Sequence, residues 1–210
     1  LKTNTQNQFK AYGLLSSFIE VEPDYIPAIE AALGSHLQSI LVSDEAIAEN
    51  AIEILSKNRL GRASIVPENF VAPPSARQLM TLPTGVEAWA IDKVRSTETV
   101  SSLIEQLLEN TFIVTDIKTA IALRKDFPSY SFATLDGNII NFNGFITGGA
   151  GESGEASSLL ARLNEIKELE TETSTLNDNL GEHQMKFQEI EILVNTSSKK
   201  VDTCRSQLQT

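Results

Sequence analysis

Thr-Leu-Asp-Gly-Asn-Ile-Ile-Asn-Phe-Asn-Gly-Phe-Ile-Thr-Gly-Gly, residues 134–149, is the stretch on which the reading of this chain turns. Four glycines, Gly137, Gly144, Gly148 and Gly149, are set among the β-forming residues Ile139, Ile140, Phe142, Phe145, Ile146 and Thr147. Asp136-Gly137 between apolar runs predicts a hairpin turn. Gly144 inside a strand-like pattern predicts a bulge or a close backbone approach. After Gly149 the character of the sequence changes completely.

Downstream, residues 150–154 read as a small-residue linker, and from Leu159 the apolar residues fall three and four apart. From Leu169 a 4-3 frame runs Leu169, Thr173, Leu176, Leu180, His183, Phe187, Ile190, Val194, Ser197, Val201, Cys204, Leu208, and nine of these twelve positions are apolar. That is the seam of a coiled coil. The helix predicted over residues 159–208 is about 75 Å long at roughly 1.5 Å per residue. The short step from Ile166 to Leu169 predicts a stammer that overwinds the coil locally. Thr173, His183 and Ser197 are polar seam residues of the kind that set register.

Upstream, a strand is predicted over residues 14–21. A helix follows, with Pro23 near its start, Ile26, Ile29, Ala32 and Leu33 on one face and Gly34 as its C-cap. Residues 37–42 read as a covered strand. Ser43 or Asp44 caps a second helix with Ile47, Ala48, Ala51, Ile52 and Leu55 on one face. A strand runs through Ala63, Ile65 and Val66. Residues 68–86, with Pro73, Pro74, Pro83 and Gly85, read as the internal boundary. A strand is predicted over residues 88–94, and an amphipathic helix over 97–108 with Val100, Leu103, Ile104, Leu107 and Leu108 as its stripe.

A weak repeat lies in this order. Val42-Ser43-Asp44 stands between a strand and a helix, and so does Val114-Thr115-Asp116, 72 residues later; Ala48 then aligns with Ala120. Both units continue into a further strand, at residues 63–66 and 131–135. The expected fold class is mixed α/β: two related α/β halves, about 11–70 and 86–150, followed by a long coiled-coil helix.

TLDG at 134–137, GFITGG at 144–149 and the heptad helix after them resemble the end of the hinge domain of structural maintenance of chromosomes (SMC) proteins, of bacterial type. AIEAALG at 28–34, LQSILV at 37–42 and GRASIVP at 61–67 fit the same family in order and spacing. The resemblance covers roughly residues 11–150 and the coil. It implies that residues 1–10 end an incoming coil helix, 11–150 form a hinge that dimerises, and 151–210 form the outgoing helix. It implies a non-enzymatic fragment of a longer ATPase, with ATP and magnesium bound at distal heads and no cofactor here. The implied role is joining two coiled-coil arms into a ring or V-shaped dimer for chromosome condensation and segregation. Implied partners are a second hinge, kleisin-type and accessory subunits elsewhere, and DNA weakly, in a cytoplasmic, nucleoid-associated setting. By resemblance, Gly144, Gly148, Gly149 and, more weakly, Gly137 are dimer-interface residues, and contact with DNA near the coil root falls to Lys10, Arg59, Arg62, Arg162 and Lys167. The seam helix expects a partner: the helix preceding residue 1, returning antiparallel, or a second copy.

Composition bounds these readings. With 17 Lys and Arg against 28 Asp and Glu, the net charge is −11, so strong global attraction to nucleic acid is not expected. No apolar run approaches the ~18 residues of a membrane span, and residues 1–10 lack the apolar core of a signal peptide. The one cysteine, Cys204, excludes an internal disulfide or a Cys-x-x-Cys metal hook. His36 and His183 have no nucleophile partner pattern, and Glu168, Glu170 and Glu172 flank the coil as solvated charges. The Gly-rich run at 149–154 lacks the Lys-Ser/Thr of a phosphate loop, and Glu152 opposes phosphate. The alternative function, an α/β ligand- or nucleotide-binding domain with a helical oligomerisation tail, requires convergent polar groups in a pocket.

Overall fold

The computed structural model describes residues 11–73, 81–149 and 158–208, leaving aside the side chains of 202–204 and 206–208. They fall into two compact units divided between Leu163 and Asn164.

The globular unit is built twice over. In its first half, β1 (Ala11–Leu14) pairs antiparallel with β3 (Ile40–Val42), and β3 pairs parallel with β4 (Ile65–Pro67) through helix α2 (Glu45–Lys57). In its second half, β5 (Val86–Trp89) pairs antiparallel with β7 (Thr111–Val114), and β7 pairs parallel with β8 (Ser131–Thr134) through α4 (Ile117–Asp126). The expected repeat is therefore present as two strand–helix–strand crossovers of the same order. Aspartates start both helices: Asp44 accepts from the Ile47 N–H, and Asp116 from the Lys118 and Thr119 N–H groups. These bonds satisfy amides that a helix leaves unpaired at its start.

Two predicted strands are each split. Residues 14–21 comprise the end of β1, a 3-10 turn at Leu15–Phe18, then β2 (Ile19–Val21); residues 88–94 divide likewise at Ala90–Lys93 before β6 (Val94–Ser96). The reason is pairing. The Ser17 hydroxyl donates to the Leu14 carbonyl and closes the turn. Beyond it β2 leaves its sheet and pairs antiparallel with β6, matching Ile19 to Ser96. This two-stranded clasp joins the halves. The strand expected over 37–42 is likewise short, because Gly34–Gln38 is a 3-10 turn.

The main core lies between the halves. Helix α1 (Ile26–Leu33), sequentially in the first half, buries Ala28, Ile29 and Leu33, and packs on β8, on the strand Ile139–Ile140 and on the helix Glu98–Leu108 of the second. Helix α3 (Glu98–Leu108) contributes Val100, Ile104 and Leu108. Each such side chain removed from water stabilises the fold by about 1.5–3 kcal/mol. A second cluster fills the space between α4 and its sheet. Its centre is Phe112, with ring centroids 4.3 Å from Trp89, 4.8 Å from Tyr130 and 5.7 Å from Phe132.

The two sheets are unequal. The first ends at β4, in the order β1-β3-β4. The second adds β9 (Ile139–Ile140) and β10 (Ile146–Thr147), giving β10-β9-β8-β7-β5. Helix α5 (Leu159–Leu208) begins in the globular unit and makes up the second. In it Leu169, Leu176, Leu180, Phe187, Ile190 and Val194 are exposed.

Candidate functional site: the β9–β10 hairpin and its surroundings

Residues 134–149 fold into two consecutive turns. The Gly137 N–H donates to the Thr134 carbonyl at 2.9 Å, closing the turn from β8 to β9. Gly144 has φ +87, a left-handed value that costs glycine little, and its N–H donates to the Asn141 carbonyl at 2.7 Å. Gly144 thus sits in the β9–β10 turn rather than in a bulge, because two strands of two residues leave no room for one.

Every residue from Phe142 to Gly149 is exposed. Phe142 is 57%, Phe145 71% and Ile146 59% accessible, on the outer edge of the five-stranded sheet. A row of apolar side chains beside an unpaired strand edge is a template for another strand. The opposite type of end, β4, is also open along one side.

The four glycines differ in their surroundings. A side chain at Gly144 or Gly149 would meet nothing within 4 Å. A Cβ at Gly137 would lie 3.6 Å from Pro27 of α1. At Gly148 it would overlap the Asn138 side chain. Asn138 is one residue that sequence reasoning missed. Its N–H donates to Thr134 Oγ1 at 3.0 Å, its carbonyl accepts from the Thr134 N–H, and its Oδ1 accepts from the Gly149 N–H at 3.1 Å. At Gly148 packing within the chain excludes a side chain, whereas Gly137, with φ +81, Gly144 and Gly149, with φ +115, are set by their backbone conformation. The only local signal was Asn138 directly after Asp136-Gly137.

The basic candidates are scattered. Arg59, with φ +52, and Arg62 lie exposed in the loop after α2, with no ion pair among the described residues. Arg162 is exposed in the first turn of α5, and Lys167 lies on α5 in the other unit. Lys10 is outside the described residues. The coil root itself is built by α1. Glu30 Oε1 accepts from the Ser158 hydroxyl and the Leu160 N–H, each at 2.8 Å, and Ser158 Oγ accepts from the Ala161 N–H at 3.1 Å. Leu160 is buried in the main core.

A cleft of the globular unit, about 520 Å³, is lined by residues of α1 and α3, by His36 and Asn110, and by Ser131, Asn141, Asn143 and Thr147. It holds no Lys or Arg, and two helices end at it rather than begin. The carbonyl ends of helices disfavour an anion, so a phosphate site does not fit. Among the described residues no group of three His, Cys, Asp or Glu could hold a metal. No helix there is long and apolar enough to cross a membrane.

Comparison with known proteins places these features in a family. The family model described as "SMC proteins Flexible Hinge Domain" matches residues 9–124. The "Chromosome partition protein Smc" of Halothermothrix orenii is 34% identical over 174 residues, which are 81% of this chain and 15% of that protein. The match thus spans about 15% of that relative's length. The crystal structure of an asymmetric dimer of the Geobacillus stearothermophilus SMC hinge domain superposes with a TM-score of 0.70 at 28% identity, covering 80% of this chain and 69% of that one. The Pyrococcus furiosus Smc hinge domain with an extended coiled coil gives 0.56 at 28% identity, covering 84% and 65%.

Proposed function

The chain belongs to the flexible hinge domain family of SMC proteins, and from that premise we propose that it is the module through which two copies of a chromosome-organising protein pair. The observation that carries this reading is the inequality of the sheets. One copy offers the exposed β10 edge, with Phe145 and Ile146 beside it, and the open side of β4. In a two-fold pair, β10 of each copy lies along β4 of the other, and both sheets continue across the junction. Gly144 and Gly149, open to solvent, let the second main chain approach, and the turn residues Gly137 and Gly148 flank the same edge.

The partner is an identical chain, so that two edges of each kind meet. The exposed seam of α5 takes a second helix of the arm. The role is architectural: ATP and magnesium belong to other parts of the longer protein, along with kleisin-type and accessory subunits. Partition of the chromosome is the task of the whole protein, in the cytoplasm at the nucleoid. DNA contact falls to Lys10, Arg59, Arg62, Arg162 and Lys167, and with a net charge of −11 it is weak and salt-sensitive.

Sedimentation equilibrium tests the pairing. Leu176→Glu with Leu180→Glu first disables association through the coil seam. In that background a two-chain mass at micromolar concentration supports the hinge, and Phe145→Asp with Ile146→Asp should return it to one chain with unchanged far-ultraviolet circular dichroism. A one-chain mass before those edge substitutions would overturn the reading.

A further inference from the structure

The β9–β10 hairpin is too short to hold its own shape. Its strands have two residues each, joined by the register Ile146 to Ile140 and Thr147 to Ile139. Yet its main chain is fixed at one residue from two sides. The Phe142 N–H donates to Ser131 Oγ at 3.0 Å, and Arg124 Nη2 donates to the Phe142 carbonyl at 2.6 Å. Ser131 is buried at the start of β8, and Arg124 stands in the last turn of α4, where a cation also suits the helix terminus. The Arg124 Nε is buried with no partner among the described residues. Burying an unpaired donor is costly, and the hydrogen bond of Nη2 to the Phe142 carbonyl is what holds the guanidinium in place.

We infer that Arg124 and Ser131 are positioning residues for the docking edge: they clamp the main chain of Phe142, so that Phe142, Phe145 and Ile146 stand preformed for a second copy. Neither residue touches that copy. They act by removing the ordering cost from association, which is how preorganisation strengthens a contact. A charge-assisted hydrogen bond is among the stronger single interactions available for this. The inference rests on the pairing proposed above.

The experiment uses the full chain in the Leu176→Glu, Leu180→Glu background. Dissociation constants are measured by sedimentation for Arg124→Met, Arg124→Lys and Ser131→Ala, with amide hydrogen exchange at Phe142 and Gly144 alongside. Arg124→Met should weaken the dimer about tenfold, the worth of one such bond, with faster exchange confined to the hairpin. Arg124→Lys, which keeps one donor, should recover part of the loss. Ser131→Ala should weaken pairing in the same direction, and it decides the matter alone if Arg124→Met fails to fold. Dimer constants unchanged in the folded variants would overturn the clamp while leaving the hinge reading intact. A background chain that is itself monomeric would instead remove the hinge reading, and the clamp's role in pairing with it.

Discussion

Glu30 and Leu160, 130 positions apart, meet through one hydrogen bond, in which the Leu160 N–H donates to Glu30 Oε1 at 2.8 Å. The same oxygen accepts from the Ser158 hydroxyl, and Ser158 in turn caps the Ala161 N–H. The first turn of α5 is thus capped twice, once by its own serine and once by a carboxylate from α1.

Removing either cap should loosen the coil root. Ser158→Ala should cost about 1 kcal/mol, or a fall of about 2–4 °C in thermal midpoint for a chain of this size. Glu30→Ala should act in the same direction. Hydrogen exchange is the sharper measurement: amides of Leu160 and Ala161 should exchange faster, while those of β7 stay protected. Uniform acceleration across the globular unit would show the effect to be global.

Acid should destabilise the chain through its helix caps. The Ile47 N–H, and after it the Ser43 hydroxyl, hold the Asp44 carboxyl below the ordinary aspartate range; the Thr119 N–H foremost does the same for Asp116. A depressed folded-state pKa stabilises above the unfolded value of ~3.9, and that stability is lost as pH falls through the folded one. The thermal midpoint should therefore fall as the pH drops below about 4. Asp44→Asn with Asp116→Asn keeps cap oxygens that do not titrate. The double variant's midpoint should fall less between pH 6 and acid than that of the native chain. Parallel curves would exclude these two carboxylates as the cause.

Phe112 is fully buried at the centre of the second cluster. Phe112→Ala should cost about 3–5 kcal/mol, a large share of the 5–15 kcal/mol typical of a domain. The chain has one tryptophan, and Trp89 lies against Phe112. Urea unfolding followed by its emission should show the midpoint fall directly. A loss under 1 kcal/mol would mean that the cluster collapses around the gap.

Arg59 and Arg62 make the DNA assignment testable through salt. If each meets one phosphate, Arg59→Gln with Arg62→Gln should lower the slope of log affinity against log salt by about two. Fluorescence anisotropy with a labelled duplex measures this. An unchanged slope would move the contact elsewhere.

Much of this was legible locally. Asp44 and Asp116 announced their helices because a cap acts within three residues of itself. Asp136-Gly137 announced its turn, and the spacing from Leu159 onward predicted α5. Alternation could not reveal the breaks at Leu15–Phe18 and Ala90–Lys93. Apolar residues recur through a short 3-10 turn much as along a strand, and only the β2–β6 clasp shows why the chain bends. Glu30, Asn138 and the hairpin contact of Arg124 were invisible for another reason. Glu30 and Arg124 act on main-chain groups far along the chain, and a single side chain reaching another segment leaves no period behind. The glycines drew attention in the sequence, yet at Gly148 the near neighbour is Asn138 of the same chain.

If the pairing proposed above holds, the unlike ends of the two sheets make each hinge bivalent. Molecules with two complementary sticky ends either cap one another in pairs or add on in file without limit. Strands as short as β9 and β10 offer few main-chain bonds to a single junction, so a file of hinges joined one junction at a time sheds its members quickly. A closed pair parts only when both junctions break together. In that pairing, brevity of the edge selects the closed pair over the polymer, and it makes a half-open pair a short-lived state.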